Sequence, residues 1–120
     1  MVVTALSSWV SFSSIYSAAY QRARSIAPNK PVTIAEIASS EDGGNKAAWI
    51  ADMSAQVRSG NYPDLKLISW FDQDKEEHWS GTSTAATRTA FTDWVREPYM
   101  SGTGAELAAV AAQYAGTGER

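Results

Sequence analysis

The chain has no cysteine among its 120 residues. That removes a disulfide framework and any thiolate metal site, and leaves the compartment open. It has a single histidine, His78, so a multi-histidine metal centre is excluded. Positive charge is also scarce, with 10 bases against 13 acids, a net charge of −3 and a pI near 5.0. No basic stripe is available to follow a phosphate backbone, so nucleic acid is not an expected partner. No apolar run approaches the roughly 20 residues that span a bilayer, so no membrane partner is expected. No lysine or arginine precedes Arg22, so the start lacks the basic segment of an export signal. No Gly-x-Ser-x-Gly occurs, and Ser7, Ser8, Ser13 and Ser14 have no histidine nearby in sequence, so serine hydrolysis has no support.

What remains is rich in tryptophan, with five in the chain. An indole N–H needs a partner when buried, so some of these rings are expected on display. Helical spacing marks Phe12, Ile15, Tyr16, Ala19, Ala23 and Ile26 as one buried face of a helix starting near Trp9 after a Ser8 cap. Pro28 ends that helix. Residues 32–37 read as a strand that is apolar on both faces, as parallel strands tend to be. Asn45 caps a second helix over 46–58, with Trp49, Ile50, Met53 and Val57 inward, and Gly60 is its stop signal. Residues 65–71 form a second strand. Ser83 or Thr84 caps a third helix to Arg96, with Ala86, Ala90, Phe91, Trp94 and Val95 inward. A short alanine-rich helix over 106–114 follows a joint at 101–104. A β-compatible run at 1–6 completes a strand–helix alternation, which predicts an α/β fold with parallel pairing through right-handed crossovers.

Glu36 closes the run Pro31-Val32-Thr33-Ile34-Ala35-Glu36-Ile37 and is followed by a small-residue loop and a helix. In an alternating barrel that position faces the active-site mouth. A strand-end acid can also cap a neighbouring helix. The second strand ends in Trp70-Phe71-Asp72, and a tryptophan there can stack on a sugar face or lie under a loop. Trp79 is a further stacking candidate on the charged loop 72–82, whereas Trp9, Trp49 and Trp94 sit on helical faces and read as core. Asp72, Asp74, Glu76 and His78 alternate like the start of a calcium loop, but Glu77 and Ser83 occupy the positions that need Gly and Glu. His78 reads as a surface residue. Gly43-Gly44-Asn45-Lys46 hints at anion binding on a helix N-terminus without matching the phosphate-loop pattern.

Taken in order, Trp9-Val10-Ser11-Phe12, Lys30-Pro31-Val32-Thr33-Ile34-Ala35-Glu36, Gly44-Asn45-Lys46-Ala47-Ala48-Trp49-Ile50, Tyr62-Pro63, Trp70-Phe71-Asp72, Lys75-Glu76 and Trp79 resemble glycoside hydrolase family 26. The resemblance fades after Tyr99. Members of that family are mainly endo-β-mannanases, with some β-glucanases and xylanases, built on a TIM (β/α)8 barrel. The resemblance implies that Glu36 is the nucleophile at the end of strand seven and that Trp70 lines the subsite of the cleaved sugar at the end of strand eight. Such a barrel needs about 250 residues, so residues 1–100 correspond to the last two to three strand–helix units and 101–120 to a flexible extension. The family's acid/base glutamate on strand four has no counterpart among the glutamates here, and the strand-six tyrosine is also missing. The implied partner is a β-linked polysaccharide, no cofactor is implied, and the family is usually exported. Two other products of the same sequence stay open: a non-catalytic carbohydrate-binding remnant, and one piece of a split barrel completed by self-association or by a complementary segment. In an incomplete barrel, the strand surface around Ile34, Leu67 and Ser69 is expected to be uncovered.

Overall fold

The computed structural model describes residues 9–115. The expected run at 1–6 and the Ser8 cap lie outside them. The elements are α1 (Phe12–Ile26), β1 (Val32–Ile37), α2 (Lys46–Arg58), β2 (Leu65–Trp70), α3 (Ala85–Val95), a short 3-10 turn (Pro98–Met100) and α4 (Gly104–Tyr114). Each long helix starts where a side-chain oxygen satisfies a free backbone N–H. Ser11 accepts from Ser14 N at 3.2 Å, so α1 begins at Phe12 rather than near Trp9. Asn45 caps α2 through Ala48 N at 2.9 Å. Thr84, one of the two residues expected, caps α3 through Thr87 N at 3.1 Å. Thr103 and Glu106 form a reciprocal capping box, which starts α4 earlier than the expected residue 106. Gly60 follows α2 with φ +85°, a backbone region that glycine enters without steric cost.

β1 and β2 pair in parallel, with Val32 opposite Leu65, Thr33 opposite Leu67, Ile34 opposite Ile68 and Ile37 opposite Trp70. The unequal steps leave one extra residue in β2 near Lys66 and one in β1 between Ile34 and Ile37. The second bulge explains why Ile34 and Ile37, three positions apart, are both buried while Ala35 and Glu36 are exposed. A bulge shifts the alternation of a strand by one residue and redirects the side chains within it.

One face of this two-stranded sheet carries the core. Ile34, Ile37 and Ile68 pack with Phe12 and Tyr20 of α1, Trp49, Ile50 and Met53 of α2, Tyr62, and Trp94 of α3. Tyr62 meets Phe12 and Tyr20 edge-on, at 5.5 and 5.1 Å between ring centres, the arrangement that ring quadrupoles favour. Its hydroxyl donates to Ser13 Oγ at 2.9 Å. Asp64 ties α1 and α4 to the turn before β2. Its N–H donates to Tyr20 Oη at 2.9 Å, and its carboxylate ion-pairs with Arg24 at 2.8 Å and accepts from Tyr114 Oη of α4 at 2.9 Å.

Among the described residues nothing covers the other face of the sheet. Thr33, Ala35, Lys66, Leu67 and Ser69 are exposed, Leu67 to 58%. Parallel sheets are ordinarily covered on both faces. Ile34 departs from expectation: it points to the helices and is buried. The expected helix faces also need revision. Ile26 is 74% and Val95 40% exposed, and Ala19 and Ala86 face solvent, whereas Tyr20, Lys46 and Thr87 are buried. Trp9 is 42% exposed rather than core. It lies over Gly44, where an added Cβ would sit 2.4 Å from the indole Cδ1.

Candidate functional site

The loops after β1 and β2 leave from the same end of the sheet, and Glu36 sits there. Its carboxylate is exposed, and no described residue hydrogen-bonds or ion-pairs with it. The β1 bulge turns it away from the core face on which Ile34 lies. An unengaged carboxylate at a strand end can act as nucleophile, base or ligand.

Trp70 pairs with Ile37, the residue after Glu36, but its side chain takes the core face, the side from which Glu36 is turned away. The ring is half-buried and turned to the helix side. Its centre lies 6.3 Å from that of Trp49, 5.7 Å from Phe91 and 6.1 Å from Trp94. Its Nε1 donates to the Trp79 carbonyl at 2.9 Å. Trp70 is thus wedged into the aromatic core with part of its surface left open. Trp79, expected as a sugar platform on a loop, is 2% exposed. It presents no face to solvent here, and its carbonyl, rather than its ring, contributes by holding the Trp70 indole.

A polar network missed in the sequence joins the two loops. Glu41 Oε1 accepts from Ser83 Oγ at 2.5 Å and from Thr87 Oγ1 at 2.6 Å. Ser40 donates to Glu77 at 2.9 Å. Asp72 Oδ1 accepts from Ser80 Oγ at 2.9 Å and from Gly81 N at 2.8 Å. Between them lies Lys46, fully buried. Its Nζ donates to the carbonyls of His78 and Ser80, at 2.7 and 2.6 Å, and to Ser83 Oγ at 3.1 Å.

Burial pushes the Glu41 pKa up, but the Ser83 and Thr87 hydrogen bonds and the Lys46 charge outweigh it. The carboxyl is left below its ordinary range. Burial lowers the Lys46 pKa against the opposing pull of the Glu41, Asp74 and Asp72 carboxylates. Glu41 Oε1 and Asp72 Oδ1 are thus occupied as acceptors. A signal for Lys46 did exist. A lysine in the first turn of a helix faces the positive end of the dipole and needs compensation from elsewhere. The Gly-Gly-Asn-Lys segment suggested an anion, whereas the lysine's actual acceptors lie in the next loop.

Next to the network is an open polar depression of about 520 Å³, lined by Glu41, Asp74, His78, Ser80, Thr82, Ser83 and Thr84. His78 is a surface side chain, 70% exposed and 3.5 Å from Asp74. Among the described residues no three metal-ligating side chains cluster, and no helix is long and apolar enough to cross a membrane.

No protein-family model matches the chain. The chain is similar to Endoglucanase H of Acetivibrio thermocellus, with 41% identity over 85 residues, 71% of this chain. A stretch of that length in 120 residues necessarily runs through the middle of the chain, where Lys46, Trp70 and Trp79 lie. The match spans 9% of Endoglucanase H, so this α/β unit with its exposed strand-end glutamate resembles a small part of a much longer endoglucanase.

Proposed function

We propose that the chain is part of a retaining endo-β-glycanase of the family 26 type, acting on β-1,4-mannan or a related β-glucan. The identity to Endoglucanase H supports the endo-glycanase part of this reading, the family 26 resemblance supplies the rest, and the exposed Glu36 at the strand end agrees with it. In the proposed reaction Glu36 attacks the anomeric carbon and the glycosidic C–O bond breaks. The leaving oxygen takes a proton from a second carboxylic acid, and water then hydrolyses the glycosyl ester. The two carboxyl groups stand about 5 Å apart in such sites. With no counterpart here of the family's acid/base glutamate, we assign the acid to barrel strands outside this chain. The bare sheet face at Leu67 and Ser69 is where those strands would pack. The family resemblance assigns Trp70 to the sugar subsite, and the part of its ring left open is the surface it would offer there, although the ring itself packs on the helix side. We further infer an exported parent protein, since extended polysaccharides are met outside the cell.

Reducing-sugar release from mannan, mixed-linkage glucan and xylan tests the reading, with Glu36→Ala as control. The expected result is little turnover by the chain alone, activity once the remaining barrel segment is supplied in trans, and loss of that activity in Glu36→Ala. Activity that survives Glu36→Ala would remove the nucleophile assignment. No activity in any combination would leave a carbohydrate-binding remnant.

A further inference from the structure

Lys46 is the most unusual side chain in the described structure. An ammonium has three N–H donors and no acceptor, and full burial is costly unless each finds a partner. Here all three do, and every acceptor belongs to the β2–α3 connection: His78 O, Ser80 O and Ser83 Oγ. Ser83 passes the chain on by donating to Glu41, in the loop that leads into α2. The ammonium also lies 5.8 Å from the centre of the Trp70 ring, within cation–π range. His78 and Ser80 flank Trp79, whose carbonyl holds the Trp70 indole.

We propose that Lys46 is a positioning residue: a latch that fixes the 72–83 connection against α2 and, through the Trp79 carbonyl, sets the orientation of Trp70 at the mouth. The consequence for glycan binding rests on the function proposed above. The latch itself does not.

Hydrogen exchange of the 120-residue chain tests the latch directly. The amides of Lys75, Trp79 and Gly81 are bonded within the connection, and the Trp49 amide reports on α2. In Lys46→Met the loop amides should exchange at least about tenfold faster relative to Trp49, since local opening is separate from global unfolding. Ser83→Ala removes one acceptor, keeps the charge, and should act in the same direction more weakly. It decides the question if Lys46→Met fails to fold. Loop amides that keep their rates, or that rise only in step with Trp49, would overturn the latch.

Calorimetric titration with a mixed-linkage β-glucan oligosaccharide tests the consequence. If the wild-type chain binds, Ser83→Ala should bind several-fold more weakly, and equal binding would overturn the positioning role. If the wild-type chain does not bind alone, the same comparison is made with the remaining barrel segment supplied in trans: equal binding there overturns the positioning role, and no binding there overturns the glycan reading and leaves the exchange result to decide the latch.

Discussion

Single polar atoms in this chain differ sharply in how well they are satisfied. The Tyr16 hydroxyl is buried without a hydrogen-bond partner, and burial, with Tyr20 and Tyr62 beside it, pushes its pKa up to about 12. Leaving such a group unpaired costs about 1–3 kcal/mol. Tyr16→Phe keeps the ring stack on Phe12 and should leave stability unchanged or raise it by about 1 kcal/mol in urea denaturation. Glu41 is the opposite case. Its folded pKa lies below its ordinary value of 4.5, so the stabilisation it contributes is present above that value and is lost as pH falls through the lowered one. Glu41→Gln should therefore be less stable than the parent at neutral pH. The difference should close in acid, as followed by the urea midpoint from pH 6 down to pH 3.

Helices and strands in this chain begin and end on local signals that are largely legible in advance. Asn45 illustrates the helix case, since its side chain supplies the acceptor that α2 needs at Ala48 N. Asn45→Ala should cost about 1 kcal/mol, read as a lower thermal midpoint with unchanged circular dichroism at low temperature. Both strands were legible, β1 from its β-branched run and β2 from its place between the Tyr62-Pro63-Asp64 turn and Asp72, with β2 ending at Trp70 rather than Phe71. The Phe71 N–H still reaches Ile37 O at 2.9 Å, so the last ladder bond forms beyond the strand's formal end. The two bulges were not legible. One of them sets the direction of Glu36.

Among the described residues the fold is lopsided, with three helices and the core on one side of a two-stranded sheet and an exposed face on the other. Leu67 and Ile68 are neighbours in sequence with opposite environments, 58% and 8% exposed. Ile68→Ala should cost about 2–5 kcal/mol by opening a cavity, whereas Leu67→Asp should change stability by no more than about 0.5 kcal/mol. Chemical denaturation of the two variants side by side checks this. A large loss in Leu67→Asp would mean that the second face is covered in solution, which sedimentation velocity would show as a larger particle. α4 belongs to this scale too. It is almost wholly exposed, and its Tyr114–Asp64 hydrogen bond ties it to the chain reversal that precedes β2.

The order of elements over the described residues, the Asn45 and Thr84 caps, the parallel α/β pairing and the candidacy of Glu36 were legible in the sequence, because they depend on short-range rules: spacing, breakers and side-chain acceptors a few residues away. Which tryptophans are buried depended on tertiary packing. Trp9 is released to the surface and Trp79 withdrawn from it, since each ring goes where neighbours distant in sequence leave space or supply a partner. Lys46 and Glu41 belong to the same class. Their acceptors and donors lie 32–46 residues away, a separation that no local pattern encodes and that exists only once α2 and the β2–α3 connection are folded together.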